Sequence, residues 1–104
     1  MHSVMITFTS SVGLNELEDL FNAYADELVR QPGMLAKAWI QDGSTLGGFH
    51  LFADEASVDA YLGSELAAGL MANGWFSNFE VRKFDVLADF SARTGTPELP
   101  ALTG

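Results

Sequence analysis

The stretch LAKAWIQDGSTLGGFHLF, residues 35–52, constrains the fold more than any other part of the chain. Two apolar runs flank Asp42-Gly43-Ser44-Thr45, which is turn chemistry, so the runs pair as a β-hairpin. The hairpin strands are expected at 34–41 and 46–53. Alternation puts Met34, Ala36, Ala38 and Ile40 on one side of the first strand and Leu35, Lys37, Trp39 and Gln41 on the other. Neither side is plainly polar, so both faces of the sheet need at least partial cover. Lys37 and His50 are out of keeping with their apolar neighbours. They are either solvated residues on a half-exposed sheet or the lining of a pocket.

The rest of the chain falls into place around the hairpin. Residues 3–9 alternate, with Val4, Ile6 and Phe8 on one side, as a strand does. From Leu14 the period changes. Leu14, Leu17, Leu20, Phe21, Tyr24 and Leu28 recur every three or four residues, which predicts an amphipathic helix ended by Pro32-Gly33. Asp54 offers the N-cap of a second helix with Val58, Tyr61, Leu62, Leu66 and Leu70 on its face, weakened by Gly63 and Gly69. Asn73-Gly74 stops it, and residues 76–87 read as a fourth strand. The segment from about Ser91 to residue 104 is rich in Gly, Pro and Thr and is expected to be an extended C-terminal arm. The order β-α-β-β-α-β predicts a single α+β domain of ferredoxin-like type, a four-stranded antiparallel sheet with two helices on one face. A second copy of the sheet is the simplest cover for the other face, which predicts a symmetric homodimer.

Charge and composition exclude several function classes. The chain has 14 Asp and Glu against 5 Lys and Arg, a net charge of -9. Nucleic acid and anionic membrane surfaces both need a basic face, so neither is an expected partner. There is no cysteine, which removes disulfides, thiolate nucleophiles and thiolate metal ligands. His2 and His50 share no HxH or HExxH spacing, so no metal site is expected. The start MHSVMITF lacks the pattern of a signal peptide, and no apolar stretch is long enough to span a bilayer. The expectation is a cytoplasmic domain.

Three segments in this order also carry a resemblance: QPGMLAKAWIQD at 31–42, GGFHLFADEASVDAYL at 47–62 and VRKFDV at 81–86. Proline-glycine precedes lysine-x-tryptophan. Paired glycines precede an aromatic strand. An acidic helix start, a tyrosine-leucine pair and a phenylalanine-aspartate-valine strand end follow. The combination resembles the YdhR-like mono-oxygenase family, small members of the dimeric α+β barrel superfamily, over roughly residues 4–99. The resemblance implies a homodimer with facing sheets, and a pocket in each subunit between sheet and helices. It further implies an oxygenase like those relatives that oxidise phenolic or quinol-like polyketides with molecular oxygen and no cofactor. Phe49-His50 stands near the place where the family pattern leads one to expect a tyrosine, so an imidazole replaces an aromatic hydroxyl here.

Each candidate has a functional and a plain reading. His50 is a general base near neutral pH, or a hydrogen-bonded strand histidine. Lys37 binds a phenolate or carboxylate, or lays its stem on the sheet and its head in water. Trp39 shares the side of Lys37, about 7 Å along the strand, and stacks on a flat substrate or packs in an interface. Tyr24 and Tyr61 sit on the inner helix faces, with hydroxyls in a cavity or at its rim. Phe8 and Phe52 are expected as apolar wall. The paired Gly47-Gly48 lacks the Lys-Ser/Thr of a phosphate loop and reads as a bulge or a close backbone approach. The expected function is a cofactor-independent mono-oxygenase on a phenolic or polyketide-like aromatic, with His50 and Lys37 catalytic. A non-oxidative isomerase, cyclase or decarboxylase in the same pocket is one alternative, and a non-catalytic small-ligand binder is another.

Overall fold

A computed structural model describes residues 1–95. The chain runs β1 (His2–Ser10), α1 (Leu14–Leu28), β2 (Met34–Asp42), β3 (Thr45–Phe52), α2 (Glu55–Leu62), α3 (Glu65–Ala72), β4 (Phe76–Asp85) and α4 (Ala88–Arg93). The strands form one sheet in the order β2-β3-β1-β4, and every neighbouring pair is antiparallel. This is the ferredoxin-like α+β arrangement expected from the alternation of periods. No helix among the described residues is long and apolar enough to cross a membrane.

Helices α1, α2 and α3 share the inner face of the sheet. Val4, Ile6 and Phe8 of β1 pack there with Leu17, Tyr24 and Leu28 of α1 and with Val58 and Tyr61 of α2. The expected second helix is two. Gly63 caps the end of α2, and the Ser64 hydroxyl accepts from the Ala67 N–H at 3.2 Å to start α3. Two consecutive residues suited to ending and starting a helix outweigh the apolar spacing that runs through them.

The register of β2 departs from simple alternation. A bulge between Met34 and Ala36 pairs Met34 with Phe52 and Ala36 with Leu51. Met34 therefore packs against the inner core, away from the side of Ala36 and Ala38 where alternation put it. Lys37 lies opposite His50, and Trp39 opposite Gly48, all on the inner face.

The outer face carries Met5, Ala36, Ala38, Phe49, Leu51 and Phe84 along an open groove of about 700 Å³. Leu87 and Phe90, at the start of α4, flank the groove and are largely exposed. Strand β4 ends at Asp85, two residues short of expectation, and α4 runs through residues 91–93, where an extended arm was expected. The rest of that arm, 96–104, lies outside the described residues.

Candidate active site between sheet and helices

Six elements supply one small site, with Leu70 of α3 as its sixth contribution. Strand β1 provides Ile6 and Phe8, α1 provides Phe21 and Tyr24, β2 provides Lys37 and Trp39, β3 provides Gly48 and His50, and α2 provides Tyr61. The cavity they leave is about 10 Å³, room for about one water. Six of the side chains singled out in the sequence line it: Phe8, Tyr24, Lys37, Trp39, His50 and Tyr61. Phe52 stands behind that lining, its ring 5.5 Å from Tyr61 and 6.4 Å from His50. Sequence reading missed Ile6, Phe21, Gly47, Gly48 and Leu70 as lining. Phe21 looked like one more apolar position on an amphipathic helix, but its ring lies 5.0 Å from that of Trp39, tilted by 40°, and builds the wall beside it.

His50 is 1% exposed. Its Nδ1–H donates to the Val4 carbonyl at 3.1 Å, because a carbonyl can only accept. Nε2 is thereby left as a bare acceptor, and it is buried with no partner. Burial first, then the nearby Lys37, lowers the imidazole pKa to about 4. The ring is neutral at physiological pH. A buried polar atom without a partner is costly, and a ligand O–H or N–H would relieve it.

Lys37 faces it from the adjacent strand. Its Nζ lies 3.4 Å from the centroid of the Trp39 ring and 5.2 Å from that of Tyr24. Those faces favour the cation. Burial opposes it and lowers the pKa to about 7. No carboxylate among the described residues lies within 4.0 Å of it. Gly48 makes the room: a Cβ there would stand 2.3 Å from Lys37 Cε, 3.2 Å from Lys37 Nζ and 3.1 Å from His50 Cε1. Lys37 and His50 thus border one spot that only glycine leaves free.

The Tyr24 and Tyr61 hydroxyls hydrogen-bond to each other across the inner face. Burial raises both phenols, so both keep their protons. One hydroxyl donates within the pair, and the proton of the other is available to a ligand. Tyr24 also borders a second groove, about 340 Å³, between α1 and α3. Trp39 closes the β2 side and is 42% exposed. Among the described residues no three His, Asp or Glu side chains gather as a metal site would need.

The whole domain matches one family. The sequence pattern described as "Putative mono-oxygenase ydhR" matches residues 3–97. The chain belongs to the YdhR mono-oxygenase family. No curated protein matches the chain. A Nitrosomonas europaea protein of unknown function, NE2512, is 31% identical over 83% of this chain and 88% of its own, with a TM-score of 0.66. The fold recurs at lower identity. An antibiotic biosynthesis monooxygenase is 15% identical, over 84% of this chain and 99% of its own, at a TM-score of 0.68. SnoaB of Streptomyces nogalater, a cofactor-independent oxygenase, is 20% identical, over 82% of this chain and 91% of its own, at 0.65. In this YdhR-family member the polar lining of the inner cavity is one imidazole, one amine, two phenols and the Trp39 indole.

Proposed function

We propose that this YdhR-family protein oxidises a phenolic or polyketide-like aromatic with molecular oxygen, without metal or flavin, in the cavity between sheet and helices. The observation that carries the reading is the buried, unpartnered Nε2 of His50 beside Lys37, which has no carboxylate partner among the described residues.

The phenol or enol O–H donates to Nε2, and the anion that forms on proton transfer is held by the Lys37 ammonium. Burial makes His50 a weak base on its own. A substrate anion at Lys37 raises the amine's pKa again, so the pair accepts the proton together, with Lys37 as its final holder. A carbon of the electron-rich anion then bonds to oxygen, the peroxide takes the proton back from Lys37, and loss of water leaves one oxygen atom in the product, while the protein positions and deprotonates. Trp39, Tyr61 and Phe8 hold the flat ring, Tyr24 contributes its hydroxyl, and Phe52 backs Tyr61. A substrate of that size needs Trp39 to swing outward, since the closed cavity holds only about one water.

The fold also supports a homodimer built on the outer sheet face. Phe49 and Ile40, on strands whose other face is core, are 42% and 39% exposed, and a second sheet would cover them.

The test is oxygen uptake by the purified protein, stripped of metals, flavin and haem, with a panel of phenols, anthrones and quinols. The expected result is enzyme-dependent uptake with a product that has gained oxygen. Product change that persists under nitrogen, without uptake, would contradict the oxidative step and leave an isomerase or cyclase.

A further inference from the structure

We propose that Lys37 is an imine-forming amine, and that the inner cavity, opened by an outward swing of Trp39, captures a small aldehyde or ketone with a flat apolar body. This goes beyond the oxygenase reading and does not depend on it.

The chain has two lysines, Lys37 and Lys83, in opposite surroundings. Lys83 Nζ lies 2.7 Å from Asp59 and 3.4 Å from Glu55, and its pKa is raised, by the Asp59 hydrogen bond above all. Lys37 has no such partner among the described residues, in a chain with 14 carboxylates. The titratable groups that face it are Tyr24 from α1, Tyr61 from α2 and His50 from β3. All three are uncharged at neutral pH: burial holds the phenols protonated and the imidazole neutral. Nothing negative among these groups holds the ammonium, and at its pKa of about 7 half the population carries a nucleophilic lone pair near neutrality. Gly48 lets the end of Lys37 lie against β3, where a Cβ would stand 2.3 Å from its Cε.

The chemistry balances with water as the only by-product. The Nζ lone pair attacks the carbonyl carbon, and one proton passes from the attacking nitrogen to the carbonyl oxygen to give a carbinolamine. The free O–H of the Tyr24–Tyr61 pair protonates the departing hydroxyl, water leaves, and the phenol recovers its proton from Nζ. The product is a C=N bond to Lys37. His50 Nε2 then stands ready to accept a proton from the carbon next to that bond.

The test treats the full chain at pH 7 with benzaldehyde and cyanoborohydride, which reduces an imine to a stable secondary amine. Peptide mass mapping locates the label. We expect at least roughly tenfold more benzyl group on Lys37 than on Lys83, as the difference in free amine requires. Lys37 should also label faster in the native protein than in urea, where its pKa returns to the ordinary range. Lys37→Met should keep the fold by circular dichroism and label only at Lys83 and the α-amine. Label at Lys83 and the α-amine with none at Lys37, or Lys37 labelling no faster than in urea, would overturn the proposal.

Discussion

At the scale of single residues, His50 and Lys37 make separable demands. His50→Gln should lower kcat by roughly 100-fold or more, the usual scale for a lost general base, with little change in KM. Trp39→Ala should raise KM and leave kcat nearer its original value. Steady-state kinetics on the substrate found by oxygen uptake checks both, and an unchanged kcat in His50→Gln would remove His50 from the chemistry. His50 also predicts a pH dependence of folding. Its pKa is about 4 in the fold against the usual 6.5, so between those values the unfolded chain holds a proton that the native chain does not. Stability therefore rises with pH across this window, is complete above about 6.5, and is lost as pH falls toward 4. The difference is up to about 3 kcal/mol. Urea titrations at pH 4.5 and 7 should show it in the native sequence, and His50→Phe should reduce the slope.

At the scale of elements, Gly47 and Gly48 do different jobs in adjacent positions of β3. A Cβ at Gly47 would stand 2.0 Å from the Ile6 carbonyl oxygen, which is backbone of the neighbouring strand and cannot swing away. A Cβ at Gly48 would meet the far end of Lys37, which can. Gly47→Ala should therefore destabilise the domain by roughly 1–3 kcal/mol or more, as overpacking does. Gly48→Ala should fold normally and lose activity, because Lys37 is pushed from its place. Thermal unfolding together with activity distinguishes the two. The paired glycines were legible as a close approach, since no phosphate-loop context surrounds them. Their division of labour was not, because it depends on which face of β3 meets Lys37. The same limit hid the β2 bulge. Alternation is a local rule, and the slip that turns Met34 inward is settled by packing against the core. The helix break at Gly63-Ser64 was half visible, as a weak glycine in an apolar pattern whose spacing carried on past it.

At the scale of the molecule, the fold was legible because the period of the apolar residues changes cleanly from two to about 3.6 and back. Most of the candidate site was legible too, because Lys37 and His50 are polar residues in apolar strands and strand parity set the side that Lys37 shares with Trp39. Phe21 was not, since a wall residue and a core residue look alike in sequence. Helix α4 was not, because six residues, Ala88–Arg93, leave no periodic signal. The proposed dimer belongs to this scale. The native sequence is expected to give a dimer by light scattering, and Phe49→Asp, which places a charge on the outer face of β3, a monomer. A dimer that survives this substitution would place the interface elsewhere.

The proposed chemistry needs a neutral His50 that offers Nε2 to a ligand. Long-range proton–nitrogen NMR of the ¹⁵N-labelled protein reads this directly. The expected spectrum is that of a neutral ring with the proton on Nδ1 from about pH 5.5 to 8, and an Nε2 resonance that moves when a phenol binds. An imidazolium at pH 5.5, or a proton resident on Nε2, would contradict it.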